Sequence, residues 1–254
     1  MRVAAIQHDV VWENPSANHA RLTPLIDKAA NNGAELVVLT EMYATGFSLA
    51  ADRIAEATDG LSVTYLVDKA IEYRFWIAGS VPVRDKSDNL PVNRMVVAGP
   101  NGQIHHYDKI YPFTYAGEHE HYRAGNDPTT VDIKGIRTSL FICYDLRFSE
   151  AFWDLAEKTD LYLVVANWPA SRRNHWRTLL QARAIENQAW VVGTNRIGEG
   201  DGLAYVGDTL IIDPLGEIAA EATEATEQII FADIDPKKVA EVRSSFPFLA
   251  DRRY

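Results

Sequence analysis

A strand that runs directly into a polar turn is apparent at residues 138–147, which read TSLFICYDLR. The apolar run 138–142 predicts the strand, and Cys143 stands where it ends. A helix is predicted at 149–158, and the wholly apolar run 161–166 predicts a further strand that is covered on both faces. A strand, a turn, a helix and a second strand in this order favour an α/β fold.

The same alternation continues towards both ends of the chain. The other predicted strands span residues 3–7, 35–40, 75–83, 94–98, 103–107, 190–195, 209–212 and 228–234. The other predicted helices span residues 16–32, 62–74, 174–188 and 236–244. Ser16 is the expected cap of the first of these helices, Gly33 lies just past its end, and GPNG at 99–102 predicts a hairpin turn. These units predict an α/β domain with a mixed sheet, and residues 1–254, which no linker or repeat interrupts, are expected to form a single domain.

The composition disfavours several kinds of partner. Of the 254 residues, 25 are Lys or Arg and 35 are Asp or Glu, which gives a formal net charge of -10. Such a chain lacks the electrostatic attraction that drives generic binding to nucleic acids and anionic membranes. No apolar run approaches the roughly 18 residues of a membrane span, and no secretory signal precedes the first strand. Cys143 is the only cysteine, so an intramolecular disulfide is impossible. We therefore expect a soluble, cytoplasmic protein that binds neither nucleic acid nor a membrane.

Cys143 is the first candidate for chemistry. A lone cysteine is usually a small buried apolar residue, but this one ends a strand and is followed by a turn. Such a corner raises a nucleophile above the edge of the sheet and leaves the backbone N–H of Tyr144 free to face a developing oxyanion. Arg147 and the N-terminus of the next helix are expected to favour the thiolate of Cys143.

Two charged residues follow other predicted strands. Glu41 comes directly after the strand 35–40, and Lys109 follows the strand 103–107. Each alone is explained equally well as a solvated loop residue, but α/β sheets collect reactive groups at the carboxyl ends of their strands. A carboxylate can be the base that a thiol needs, and an ammonium can stabilise the oxyanion of an amide under attack. With Cys143, these side chains predict amide cleavage that needs no histidine.

On these residues the chain resembles the nitrilase superfamily of carbon–nitrogen hydrolases over essentially its full length. The matching segments are LTE at 39–41, YDKI at 107–110, GE at 117–118 with Gly125 beyond it, CYDLRF at 143–148, ANWP at 166–169, HW at 175–176 and ARAIEN at 182–187. The last two, with NR at 195–196 and FP at 246–247, are most similar to the omega-amidase branch. Relatives usually have Lys-x-His-Leu-Phe, whereas Lys109-Ile110 is followed here by Tyr111-Pro112-Phe113. We therefore expect a different pocket wall beside the lysine.

The resemblance implies a fold, an assembly and a set of site residues. The fold implied is an αββα four-layer sandwich, and the assembly is a homodimer. The apolar tail at 246–249 either joins that interface or packs on its own domain. Neither a cofactor nor a metal is implied. The implied site residues are the catalytic Glu41, Lys109 and Cys143, a second active-site glutamate, Glu118, and two substrate-binding residues, Arg147 and Trp168.

The omega-amidase resemblance points to monoamides of 2-oxo dicarboxylic acids, such as 2-oxoglutaramate and 2-oxosuccinamate, as substrates. Deaminated glutathione amidase, carbamoyl hydrolase and broad aliphatic amidase are the alternatives within the superfamily, and nitriles fit the motifs less well. The guanidinium of Arg147 suits a bidentate clamp on the substrate's carboxylate. Its local alternative is an ion pair with Asp145 or Glu150.

Two interpretations outside the superfamily also stand. GEHEH at 117–121, near His105 and His106, has histidines and carboxylates that suit zinc, and a zinc enzyme would cleave amides through a bound hydroxide. The second interpretation is a scaffold that binds a partner or an amide ligand without turnover. The intact Glu41, Lys109 and Cys143 argue against this interpretation. The glycines at 198, 200 and 202 are expected in a loop between strands with no helix after them, so they do not form a dinucleotide motif.

Overall fold

Strands and helices alternate throughout the computed structural model, which describes residues 1–85 and 89–253. The strands are β1 (Arg2–Gln7), β2 (Leu36–Val38), β3 (Trp76–Val83), β4 (Val92–Ala98), β5 (Ile104–Asp108), β6 (Thr130–Ile133), β7 (Ile136–Ile142), β8 (Leu161–Ala166), β9 (Trp190–Asn195), β10 (Ile197–Gly200), β11 (Leu203–Val206), β12 (Leu210–Ile212), β13 (Ile218–Glu221) and β14 (Gln228–Asp233). The helices are α1 (Pro15–Asn31), α2 (Ala51–Ile54), α3 (Leu61–Tyr73), α4 (Glu118–His121), α5 (Ser149–Trp153), α6 (Arg173–Asn187) and α7 (Pro236–Ser245). Each strand and helix predicted from the sequence has a counterpart among them.

Most of the described strands belong to two six-stranded sheets. The first has the order β14-β1-β2-β3-β4-β5, in which β1, β2 and β3 are parallel and the remaining pairings are antiparallel. The second has the order β13-β12-β9-β8-β7-β6, in which β7, β8 and β9 are parallel. β10 and β11 form a separate antiparallel hairpin. The prediction of mixed strand pairing is confirmed for both sheets.

The two sheets pack face to face around a shared apolar layer. Val38 and Met95 of the first sheet and Leu140 and Leu163 of the second belong to one buried cluster. The outer faces are also covered, so that every residue of β3 and β8 is buried. A strand covered on both faces carries apolar side chains at successive positions, which explains the continuous apolar runs of the sequence.

Helices cover the outer face of each sheet. Leu22 of α1 and Leu66 of α3 pack on the first sheet, and Trp176 and Leu180 of α6 pack on the second. Each such buried side chain contributes about 1.5–3 kcal/mol relative to exposure. A Cβ at Gly193 of β9 would lie 2.4 Å from Leu180 Cδ1, so a glycine is what allows α6 to sit this close. The resulting layers confirm the αββα sandwich. Within the described residues, no helix combines the length and apolarity that crossing a membrane requires.

Strand direction brings the candidate residues to one edge of the sandwich. β2 and β5 run the same way, because two antiparallel pairings separate β5 from β3, so Glu41 and Lys109 follow strands that end at one edge. β7 and β8 are parallel, so Cys143 and Asn167 also share an edge. The Asn167 N–H donates to Glu41 Oε2 at 2.8 Å, which shows that the two edges meet.

The start of α1 differs from the prediction. The helix begins at Pro15, and its cap is Asn14 instead of Ser16, because the Asn14 side chain accepts a hydrogen bond from the N–H of Ala17 at 3.1 Å. Proline suits this first position because it has no N–H to satisfy there. The expected end is confirmed by Gly33, whose φ of +78° takes the chain out of the helix.

Other boundaries were also predicted wrongly. α5 ends at Trp153, and a 3-10 turn, Ala156–Lys158, takes the place of its second half. Gly198 and Gly200 lie in β10 and Gly202 in the turn to β11, not in a loop as expected. β6 and β13 were not predicted, because each is a short edge strand with exposed positions and gives little apolar signal.

Candidate active site

Cys143 lies where β7 turns sharply. It is the first residue of the 3-10 turn Cys143–Arg147, and its φ of +46° is in the left-handed region that costs a non-glycine residue energy. Its side chain is half-buried and lines a cavity at the strand ends. The strained corner thus brings the thiol to the cavity at the end of a buried strand.

Asp145 fixes this turn to the segment that carries Lys109. Its buried carboxylate accepts hydrogen bonds from the Ile142 N–H at 2.8 Å, the Tyr107 hydroxyl at 2.8 Å and the Tyr111 N–H at 3.0 Å. Ile142 precedes the cysteine, and the two tyrosines flank Lys109 in the chain. One side chain therefore ties the nucleophile's turn in one sheet to the lysine of the other.

Burial raises the pKa of Asp145 to about 7, against the opposing influence of Lys109 and of the three hydrogen bonds. The folded state then holds this proton to a higher pH than the unfolded state, so the stabilising contribution is complete below about pH 4 and is lost as the pH rises through about 7. We expect the free energy of unfolding of the wild type to fall over this interval relative to that of Asp145→Asn. Urea unfolding of both proteins across the interval measures the difference.

Asp160 provides the matched control for that experiment. Although burial opposes it, hydrogen bonds from Arg137 lower the pKa of Asp160, so its contribution is present above the unfolded value and is lost only as the pH falls below it. The difference between the wild type and Asp160→Asn should stay flat where the Asp145→Asn difference changes. A difference for Asp145→Asn that is constant or grows with pH would contradict the prediction.

Glu41 is buried and each of its carboxylate oxygens has a fixed partner. Oε1 accepts from Asn93 Nδ2 at 2.8 Å and from Lys109 Nζ at 3.1 Å, and Oε2 accepts from the Asn167 N–H at 2.8 Å. The Asn167 side chain also donates to the Glu41 backbone carbonyl at 2.6 Å. Asn93 is itself held by the Ser80 hydroxyl at 2.8 Å. The carboxylate therefore has one fixed orientation, and it lines the same cavity as the Cys143 thiol.

Lys109 lies between two buried carboxylates. Its ammonium donates to Glu118 Oε2 at 2.8 Å and Oε1 at 3.1 Å as well as to Glu41. Burial alone would lower the pKa of Lys109, but Glu118 and Glu41 outweigh it and raise the pKa, so the side chain stays charged. Gly125 N–H donates to the Lys109 carbonyl at 2.8 Å, and a Cβ at 125 would lie 2.1 Å from the Asp108 carbonyl oxygen. This close approach explains why a glycine belongs to the motif.

The thiol of Cys143 is neutral in the resting site. Burial raises its pKa, the neighbouring Glu41 raises it further, and Lys109 opposes both. The expectation that Arg147 and the next helix favour the thiolate is therefore wrong, because the adjacent carboxylates and burial dominate. A neutral thiol beside a carboxylate can lose its proton to that base during attack.

The cavity above Cys143 has a volume of about 140 Å³. Trp168 and Arg147 both line it, and the Arg147 guanidinium carbon lies 4.7 Å from the centre of the Trp168 ring. Within the described parts of the chain this guanidinium forms no ion pair, and its Nη2 lies 3.4 Å from His175 Nδ1. The local alternative, pairing with Asp145 or Glu150, is not what the side chain does.

The segment that follows the lysine is rich in aromatic side chains. Tyr111 stacks on Phe148 with ring centres 3.8 Å apart. Phe113 packs against Tyr144 at 4.9 Å, and its N–H donates to the Glu118 carboxylate. The side chains of Phe113 and Tyr144 line the cavity, whereas Tyr111 and Pro112, the two positions that depart from the superfamily pattern, are not among its lining residues.

The zinc interpretation lacks a ligand set. Within residues 1–85 and 89–253, no three or more His, Cys, Asp or Glu side chains cluster as a metal site requires. Glu118 is turned inward against Lys109, whereas His119 is half exposed and lies 3.9 Å from Glu120. His105 stacks on Trp76, with ring centres 5.9 Å apart.

Three buried residues of the site escaped prediction: Asn93, Asn167 and Asp145. Asn167 directly follows β8, so the strand-end rule that selects Glu41 was sufficient to find it. Asn93 lies at the start of its strand, where that rule does not apply. The role of Asp145 depends on donors more than thirty residues away in sequence, such as Tyr107, 38 positions distant.

Comparison with known proteins assigns the family. The carbon–nitrogen hydrolase family model matches residues 2–244. The chain is 39% identical to omega-amidase YafV of Escherichia coli K12, over 99% of this chain and 96% of that protein. It is 36% identical to a 2-oxoglutaramate amidase of Bacillus subtilis 168, over 99% and 97% of the two chains. A CN-hydrolase superfamily protein of Xanthomonas campestris, solved with an arsenic adduct in its active site, superposes with a TM-score of 0.94 at 36% identity, covering 100% of this chain and 97% of that one.

The chain belongs to the carbon–nitrogen hydrolase family. Its fold is the nitrilase-superfamily sandwich, and the resemblance drawn from the sequence motifs is confirmed. The predicted class of enzyme, a hydrolase of carbon–nitrogen bonds, is confirmed with it.

Proposed function

We propose that this protein is an omega-amidase that hydrolyses the terminal amide of 2-oxo dicarboxylic acid monoamides, such as 2-oxoglutaramate and 2-oxosuccinamate, to the acid and ammonia. The observation that carries the proposal is that Cys143, Glu41 and Lys109 line one cavity, in which Lys109 binds Glu41 and which Arg147 also lines. The similarity to an omega-amidase and a 2-oxoglutaramate amidase supports the substrate class. Residues 1–254 would act as one hydrolase domain in the cytoplasm, where a reactive thiol stays reduced.

In the first half of the reaction, Cys143 is the nucleophile. Glu41 takes the thiol proton as Sγ attacks the amide carbon. The Lys109 ammonium and the Tyr144 N–H stabilise the oxyanion, a contribution of about 3–4 kcal/mol per donor to the barrier. The protonated Glu41 then passes its proton to the departing nitrogen, so that ammonia leaves and the acyl group remains as a thioester on Cys143.

In the second half, water replaces ammonia. Glu41, again a carboxylate, removes a proton from a water molecule that attacks the thioester carbon, and Glu118 helps to position that water. The tetrahedral intermediate collapses with release of the acid, and Cys143 recovers its proton. The buried contacts that hold Glu41 and Glu118 support this division, because each carboxylate keeps one orientation through both halves.

The far end of the substrate would bind Arg147 and Trp168. The stacked guanidinium has no carboxylate partner among the described residues, and Nη1 and Nη2 lie 3.5 and 3.4 Å from His175 Nδ1. A carboxylate suits its planar fork, and the indole of Trp168 supplies an apolar surface for the intervening methylene groups. The proposal thus assigns one end of the pocket to the reacting amide and the other to the acid.

Arg147→Lys should lower kcat/KM for 2-oxoglutaramate about 10- to 100-fold, roughly the 1.5–3 kcal/mol of a charge-assisted hydrogen bond. The lysine keeps the charge but cannot bind a carboxylate in two places. Pentanamide, a neutral amide of the same length, should be hydrolysed at the same rate by both enzymes. Steady-state ammonia release from the two substrates measures the effect. Equal losses on both would mean that Arg147 only supports the turn at Cys143.

A screen of ammonia release tests the substrate class itself. The panel contains ω-amides of 2-oxo acids, glutathione-derived amides, carbamoyl amino acids, simple aliphatic amides and nitriles. The highest kcat/KM is expected for the first group. A higher value for any other group would replace the proposed substrate with that one while leaving the amidase chemistry intact.

A homodimer is part of the proposal. Phe246 is 67% exposed although Leu249, three residues later, is buried in its own chain, so the tail presents part of its apolar surface outward. Ile185 and Leu215 are also exposed, at 51% and 58%. Light scattering at micromolar concentration should give twice the chain mass of 28.4 kDa. Phe246→Ser should shift the mass towards the monomer, whereas Ile71→Ser, at another exposed apolar site, should not. A monomeric wild type would contradict this part of the proposal.

A further inference from the structure

A second guanidinium lines the same cavity as Arg147. Arg172 ends the 3-10 turn Ala170–Arg172, close in sequence to Trp168. Its carbonyl accepts a hydrogen bond from Trp168 Nε1 at 2.8 Å, and its N–H donates to the Pro169 carbonyl at 3.0 Å. The backbone of Arg172 is therefore fixed relative to the indole that forms the cavity wall.

Among the described residues, the guanidinium of Arg172 is not paired with a carboxylate, whereas those of two nearby arginines are. Arg173 binds Asp208 at 2.7 Å, and Arg177 binds the same carboxylate at 3.0 Å. Arg172 has no carboxylate partner within the described stretches of the chain. Its guanidinium carbon lies 5.4 Å from the centre of the Phe113 ring. An aromatic face positions a guanidinium without neutralising it or occupying its N–H donors.

Arg172 and Arg147 flank one aromatic wall. Phe113, beside Arg172, packs against Tyr144 at 4.9 Å, and the Tyr144 ring lies 5.9 Å from the Arg147 guanidinium carbon. Both cations therefore line one cavity in a protein whose formal net charge is -10. Two unneutralised cations at this place in an acidic protein point to an anionic ligand.

We propose that Arg172 is a second anion-binding residue, which with Arg147 selects amides whose far end carries a carboxylate next to a 2-oxo group. This inference rests on the proposed function and deepens it. A carboxylate held in two places by one guanidinium still has outward lone pairs, and the adjacent oxo oxygen is a further acceptor. The second guanidinium would donate to these acceptors. A simple carboxylate lacks the oxo oxygen and so offers only some of them, and the far end of a neutral amide offers none.

Arg172→Gln tests the inference through KM and through equilibrium binding. We expect KM for 2-oxoglutaramate to rise about tenfold or more, with kcat within about twofold, and no change with pentanamide. The dissociation constant of the product 2-oxoglutarate, measured by calorimetry, should rise by a similar factor, and that of glutarate by less. Arg172→Lys should restore part of the loss. Arg173→Gln removes the same charge from a residue that does not line the cavity, and it should leave the ratio of the two substrates unchanged.

The outcomes separate this inference from the proposed function. An unchanged KM and an unchanged dissociation constant in Arg172→Gln would overturn the role of Arg172 while the wild type remains an omega-amidase. A proportional loss with pentanamide, or the same loss in Arg173→Gln, would also overturn it, as a structural or long-range electrostatic effect. If the wild type hydrolyses no 2-oxo acid amide, the proposed function fails. Calorimetry with 2-oxoglutarate then still decides whether Arg172 binds an anion.

Discussion

Cys143→Ala is expected to abolish ammonia release from 2-oxoglutaramate, with a loss of at least about 10³-fold in kcat. No other cysteine exists in the chain to replace the nucleophile. Water would have to attack the amide directly, without the covalent step that divides the reaction. The loss of one small sulfur atom at the cavity leaves the packing of β7 and of the Asp145 contacts in place. Circular dichroism and urea unfolding should therefore remain close to those of the wild type.

Cys143→Ser is the matched control for that variant. Serine differs from cysteine only in the reacting atom, and its hydroxyl is a weaker nucleophile than the thiol beside the same base. It should bind 2-oxoglutarate as the wild type does and still be nearly inactive. Activity above a few per cent in the alanine variant would contradict the role of Cys143.

Glu41→Gln is expected to lose at least the 10²- to 10⁴-fold in kcat that a positioned acid–base group supplies. The amide can accept hydrogen bonds as the carboxylate does, but it cannot take the proton from Cys143 and return it to the leaving nitrogen. Its NH₂ group would also face one of the donors that now bind the carboxylate, Asn93, Lys109 or the Asn167 N–H. Steady-state ammonia release across pH measures the loss, which should persist at every pH.

Glu118→Gln is the comparison that assigns the two glutamates. Both carboxylates are buried and both bind Lys109, so the two substitutions remove one negative charge from the same surroundings. The loss should be smaller for Glu118→Gln, since Glu118 contacts Lys109 and Phe113 and is not the described partner of the thiol. Normal turnover in Glu41→Gln with none in Glu118→Gln would reverse the roles.

The fold was predictable because its strands are covered on both faces. The near-continuous apolar run at 35–40 and the continuous one at 161–166 indicate buried strands without any knowledge of the partner sheet. Where one face is exposed, as in the edge strands β6 and β13, the signal weakens and the strands were missed. The cap of α1 was misplaced by two residues because Asn14 and Ser16 are both good capping residues, and only the hydrogen bond to Ala17 decides between them.

The candidate residues were predictable from position, but their interactions were not. Glu41, Lys109 and Cys143 each follow a strand, and sheet topology brings such positions together. The sequence does not show that Lys109 binds two carboxylates at once, and this arrangement determines the local charge. Because the sequence does not show this arrangement, a thiolate was predicted at Cys143. In the structure, burial and Glu41 raise the pKa of the thiol. The pKa of such a group depends on interactions between residues that are far apart in sequence.

The central claim is that Cys143 carries the acyl group of the substrate during turnover. Acid-quenched samples of the wild type mixed with 2-oxoglutaramate, digested and analysed by mass spectrometry, test it most directly. We expect the peptide that contains Cys143 to gain the mass of the acyl group, to lose it on treatment with hydroxylamine, and to show no gain in Cys143→Ala. An unmodified Cys143 peptide throughout turnover, together with full activity after alkylation of that thiol, would contradict the account.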